Sequence, residues 1–108
     1  MLPVRPFANV EWGSCVVDAY EDLAVDNTKA VKLTKLKATH VGVRIRNEGA
    51  SVRIRVDGTA PVTAQGTGEL WFDTEGNSFN QNQAAALQVI ADGATASTLR
   101  VHYFRGTN

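Results

Sequence analysis

Between residues 40 and 56 hydrophobic and polar positions alternate in two runs. Val41, Val43 and Ile45 alternate with Gly42, Arg44 and Arg46, and Val52, Ile54 and Val56 alternate with Arg53 and Arg55. A period of two marks strands with one buried face. The link Asn47-Glu48-Gly49-Ala50 is short and contains a glycine able to take the left-handed conformation of a turn, so the two runs are expected to form a hairpin. A second hairpin is expected from residues 86–91 and 98–105, joined by a turn over residues 92–97. Both turns carry Gly-Ala followed by a small hydroxyl residue, Ser51 or Thr95, a faint internal repeat.

Residues 68–73 read as another strand, closed by the turn-rich stretch Thr74-Glu75-Gly76-Asn77-Ser78, and the polar residues 80–83 read as loop. In the N-terminal third, strands are expected around residues 8–12, 15–19 and 29–35. Val31, Leu33 and Leu36 would also suit a helical turn, but no long apolar face with helical spacing appears anywhere. These elements predict an all-β chain, a single-domain antiparallel β-sandwich or jelly-roll-like fold of about seven or eight strands. A closed barrel is the other arrangement. The domain is taken as residues 1–108, with 1–37 forming N-terminal strands or an arm.

The chain has 108 residues, enough for one core. Its 11 basic and 11 acidic residues cancel, so no global field steers it toward nucleic acid or an anionic membrane. The lone Cys15 has no internal disulfide partner, and no paired Cys or His spacing suits zinc. With neither an export signal nor an apolar run long enough for a membrane span, the protein is expected to be soluble and made in a cytosol.

Candidate chemistry is sparse. Glu11 beside Trp12 and Glu69 beside Leu70 and Trp71 are the carboxylates nearest to apolar runs, but alternation turns such residues toward solvent. His40 and His102 each stand alone and are expected at the surface or rim, while Cys15 between small and apolar neighbours is expected in the core. Residues 73–77 hold only a fragment of a calcium loop, and Gly66-Thr67-Gly68 lacks the Lys-Ser/Thr of a phosphate loop. The expectation is a protein that is not an enzyme, with no catalytic residue, metal or cofactor. Trp12, Trp71, Tyr103 and Phe104 would offer flat faces to a sugar, which keeps a carbohydrate- or cell-surface-binding module as an alternative.

The arginines carry more information. In the predicted hairpin Arg44, Arg46, Arg53 and Arg55 share one face, and any register that pairs the Val and Ile positions also sets arginine against arginine. Like charges placed directly opposite destabilise a sheet unless water, salt or carboxylates relieve them. The ladder is therefore either a solvated face with local ion pairs, to Glu69 or Asp73 for example, or a protein interface. Nucleic acid fits less well, because no aromatic residues interleave with the arginines.

Two strings, Val52-Arg53-Ile54-Arg55-Val56-Asp57-Gly58-Thr59-Ala60-Pro61 and Ala91-Asp92-Gly93-Ala94-Thr95 followed by Leu99-Arg100-Val101-His102-Tyr103-Phe104, resemble a family of small virion proteins of tailed bacteriophages. The resemblance covers roughly the last two-thirds of the chain. In it Asp57, Gly58 and Pro61, like Asp92 and Gly93, are structural turn residues; physically, Asp-Gly turns the chain and Pro61 cannot donate to a sheet ladder. It implies a structural protein of the virion, made in the host cytoplasm. The reading that follows is a capsid decoration or cement protein bound to the major capsid protein as a homo-oligomer, trimer or dimer, without nucleic acid or membrane as partner. A tail, collar or baseplate component is the alternative within the virion.

Overall fold

The computed structural model describes residues 14–61 and 68–107. The strand expected near residues 8–12, with Glu11 and Trp12, lies outside them, as do Gly66 and Thr67. Among the described residues seven strands form two antiparallel sheets, with one short helix between β5 and β6: β1 (Cys15–Val25), β2 (His40–Gly49), β3 (Val52–Arg55), β4 (Glu69–Trp71), β5 (Gly76–Asn80), α1 (Gln81–Ala86), β6 (Gln88–Ala91) and β7 (Ser97–Gly106). One sheet has the order β1-β7-β2-β5 and the other β4-β3-β6. Val43, Ile45, Leu99, Val101 and Tyr103 of the first join Val52, Ile54, Trp71 and Val89 of the second in one buried cluster, so the chain is an all-β sandwich.

Neither expected hairpin forms. β2 pairs with β5 and β7, and β3 with β4 and β6, so Ala50 and Ser51 carry the chain from one sheet to the other. The second expected hairpin divides in the same way, β6 in one sheet and β7 in the other. Alternation specifies which side chains of a strand point inward, and that requirement is met equally when two runs lie side by side or face each other across a core. The second arrangement wins here because Ile45 and Val52, at the ends of the two runs, are both completely buried in the common core.

The faint repeat has a structural counterpart. Because β2 lies beside β7 and β3 beside β6, the β2–β3 and β6–β7 crossings between the sheets stack on each other. Gly49 is paired with Ser97, and Asp92 N donates to Ser51 O at 2.9 Å. Gly49 takes a φ of 134°, as the turn chemistry anticipated.

Residues 74–78 are not simply a turn. The reversal is made by Thr74, at φ 71°, and Glu75, and the strand β5 starts at Gly76. A Cβ at Gly76 would stand 2.3 Å from Ile45 O, so only glycine permits β5 to approach β2 there. The expected loop at 80–83 is instead the start of α1. Asn80 Oδ1 accepts from Gln83 N at 2.8 Å and Gln83 Oε1 accepts from Asn80 N at 3.0 Å, a reciprocal cap for a helix too short to show any periodicity.

The strand expected at 29–35 shrinks to a single bridge between Val31 and Val89, with N–H···O distances of 2.8 and 3.0 Å. Ala91 N also donates to Asp26 O, so residues 26–31 run along β6 and shield that edge of the smaller sheet.

Candidate functional site

Splitting β2 from β3 dissolves the four-arginine ladder. Arg44 and Arg46 project from the outer face of the four-stranded sheet, whereas Arg53 and Arg55 belong to the other sheet. Arg53 is only 9% exposed, and its Nε donates to Asp92 Oδ1 at 2.6 Å. Strand β3 thus depends on a shielded ion pair, not a docking residue. Arg55 pairs with Asp57, whose carboxyl is held far below the usual carboxylate range by that bond first and then by bonds from the Thr59 side chain and backbone. Asp57, Gly58 and Thr59 therefore form a closed Asx turn, with Gly58 at φ 85°. Pro61 is buried, and Asp92 serves Arg53 beside the exposed Gly93, so the turn residues all act in the fold.

Register assembles a different group on the four-stranded sheet. Antiparallel pairing sets Tyr20, His102, Arg44 and Ser78 in one row across β1, β7, β2 and β5. The next row is Asp22, Arg100, Arg46 and Gly76, and the third is Ala24, Thr98 and Glu48. Arginine does oppose arginine, but the pair is Arg46 with Arg100. Alternation along β7 places Arg100 outward with Thr98 and His102, a signal present in the sequence that becomes meaningful only with the register.

Carboxylates share out the charge on this face. Arg100 Nε contacts Glu48 Oε1 at 3.0 Å and Arg100 Nη1 contacts Asp22 Oδ1 at 3.4 Å, while Arg46 Nε reaches Glu48 Oε2 at 3.8 Å. Arg44 Nη2 donates to His102 Nδ1 at 2.9 Å, and the Tyr20 ring meets His102 edge-on at 4.8 Å. Burial, and secondarily the Arg44 charge, lower the His102 pKa and favour the neutral imidazole that accepts this bond. The side chains of Arg44, Arg46, Glu48, Arg100 and His102 surround a groove of about 540 Å³ that opens beside Gly76, where no side chain rises.

The other expected polar sites are absorbed by the fold. His40 is not at the rim: it is 2% exposed, its Nδ1 accepts from Lys37 N at 3.0 Å, and its Nε2 donates to Asp18 Oδ2 at 2.9 Å. With both nitrogens engaged it is a structural histidine. Glu21, passed over in the sequence, is the buried carboxylate among the described residues. It accepts from the Tyr103 hydroxyl and from the Thr34 side chain and backbone, tying the loop after β1 onto the sheet. Cys15 is half-buried rather than a core residue, beside the exposed Val16 and Val17.

Glu69 is exposed, as alternation requires, and accepts from the Trp71 indole. Asp73 Oδ1 accepts from Gly49 N, and Glu75 Oε1 from Phe72 N, so neither faces the arginines. Among the described residues no group of three His, Cys, Asp or Glu is placed to hold a metal ion. Trp71, Tyr103 and Phe104 are buried, which removes them as a sugar platform; Trp71 stacks on Phe79 with centroids 6.0 Å apart. Compared with family models, with curated proteins and with solved structures, the chain matches none.

Proposed function

We propose that the protein is a non-enzymatic structural component of a tailed-bacteriophage particle, a decoration or cement protein that binds the major capsid protein as a dimer or trimer. The resemblance of the two turn-and-strand strings supports the virion setting. One observation supports docking: Arg46 faces Arg100 across the β2–β7 pairing with their shared carboxylate, Glu48, 3.0 Å from one and 3.8 Å from the other. A sheet gains nothing by itself from such an opposition, whereas an acidic partner relieves it and sets binding orientation.

The test is co-sedimentation with shells lacking the protein, using wild type, Arg46→Glu with Arg100→Glu, and Arg55→Glu as a basic residue of the opposite sheet. Wild type and Arg55→Glu are expected in the pellet and the double variant in the supernatant, with a wild-type circular dichroism melt. Failure of wild type to pellet with any shell or tail preparation would remove the virion reading. Undiminished binding by the double variant would remove this face from it.

A further inference from the structure

We infer that copies of this chain associate head to tail, the lysine-rich edge of one sandwich meeting the acidic edge of the next. The association rests on the homo-oligomer of the reading above, but not on its virion setting. All four lysines of the chain fall within residues 29–37, and residues 27–39 hold no Asp or Glu. Between Arg55 and Arg100 there is no Lys or Arg, and residues 69–75 carry Glu69, Asp73 and Glu75. Arginines pair within the fold: Arg53 with Asp92, Arg55 with Asp57, Arg105 with Asp18, and Arg46 and Arg100 with Glu48. Lys29, Lys32, Lys35 and Lys37 are exposed, and among the described residues none of them forms an ion pair, nor does Glu69, Asp73 or Glu75. Asp18 and Asp26, which feel the charges of Lys37 and Lys29, are already engaged by His40 and Arg105 and by Thr28. A net charge of zero thus conceals two regions of opposite sign, and charges that do not meet within one molecule attract those of a second.

The fold sets these regions on opposite sides. Residues 26–31 run along β6, while Thr34 bonds to the Glu21 side chain and Lys35 Nζ to Tyr20 O, so the lysines border the side formed by β1 and β6. Glu69 lies on β4, and Asp73 and Glu75 lie in the link from β4 to β5. In the orders β1-β7-β2-β5 and β4-β3-β6 these two strands are the other edges of their sheets. An edge-to-edge contact that joins unlike charges is therefore heterologous, and it closes into a ring where the rotation between copies allows, a trimer being one such ring. Side chains make the contact, because the edges are closed to strand addition. The N–H groups of Ser78 and Asn80 on β5 already donate to the side chains of Asn77 and Gln83, and residues 26–31 shield β6. Phe72, 57% exposed beside Asp73, gives the acidic edge an apolar anchor on which a lysine stem lies while its ammonium reaches a carboxylate.

The experiment measures molar mass by sedimentation velocity at about 50 mM and about 1 M salt. Wild type is expected to associate at low salt and to approach the monomer at high salt. Lys32→Glu with Lys37→Glu, and Glu69→Lys with Asp73→Lys, should each be monomeric alone with a wild-type circular dichroism spectrum. Phe72→Ala should weaken association at least about tenfold. An equal mixture of the two charge-reversed variants should associate, because the intact acidic edge of one meets the intact lysines of the other; loss of fold does not produce that result. In excess over wild type, the lysine-reversed variant should cap its assemblies and lower their mass, a readout independent of how the second variant folds. A monomeric wild type, including one whose lysines bind duplex DNA instead, would overturn the inference. So would salt-insensitive association, association of either variant alone, or a folded mixture that stays monomeric. Salt-sensitive assembly without shell co-sedimentation would uphold the head-to-tail contact and refute the virion reading; shell binding by a protein whose variants both still associate would refute the contact alone.

Discussion

Ser97 donates a 2.6 Å hydrogen bond to Asn47 Oδ1, joining the β2–β3 and β6–β7 crossings at the point where they stack. Asn47 is fully buried, and its Nδ2 donates to Ala50 O at 3.0 Å and Phe72 O at 3.1 Å. One side-chain amide thus bonds to all three of the β2–β3, β4–β5 and β6–β7 connections that meet at that end of the sandwich. Asn47→Ala strands the Ser97 hydroxyl and these carbonyls, and is expected to cost about 2 to 4 kcal/mol in urea unfolding. Ser97→Ala should cost about 1 kcal/mol. A midpoint for Asn47→Ala within error of wild type would show that the crossings do not depend on this joint.

Arg53 and Arg55 should behave in opposite ways, although they are two residues apart on β3. Arg53→Glu sets a second carboxylate against Asp92 in a shielded position and is expected to cost about 3 kcal/mol or more. Arg55→Glu, at an open surface pair, should leave the unfolding midpoint close to wild type. Equal effects would contradict the different burial of the two side chains.

Gly76 lies where an added Cβ would stand 2.3 Å from Ile45 O of β2. Gly76→Ala drives a methyl group into Ile45 O and should separate β5 from β2, with a loss of about 2 kcal/mol or more. Hydrogen exchange at the β5 amides is the direct measurement, and unchanged protection there would be the contrary result.

His102 should make stability depend on pH near neutrality. Tyr20 from β1 and Arg44 from β2 face it, with Arg100 two residues away on its own strand, and burial lowers its pKa below the unfolded value of about 6.5. The unfolded chain then binds the proton more readily. This stabilisation is complete above the unfolded pKa and declines as pH falls below it. Asp18, Asp26 and Asp57 have lowered pKa values, so their contributions fade only in more acidic solution. His102→Gln should flatten urea midpoints between about pH 7 and about pH 5 and leave the acid limb in place. An unchanged slope would remove His102 as its source.

Period-two alternation, with Gly, Asp and Pro at the breaks, was sufficient in the sequence to predict an all-β chain and to place Val43, Ile45, Val52 and Ile54 inward, because side-chain direction along a strand is a local property; that the strands form a sandwich and not a closed barrel was decided by the tertiary structure. Which strand lies beside which is not local. The link after β2 suits a hairpin and a crossing equally, and burial of Ile45 against the opposite sheet decided for the crossing. The same decision divided the four arginines, enclosed Arg53 with Asp92, and brought Arg100, distant in sequence, opposite Arg46. Glu21 and His40 were illegible for the same reason: their partners Tyr103, Thr34 and Asp18 come from other segments, and only the folded chain collects enough donors and acceptors to bury them.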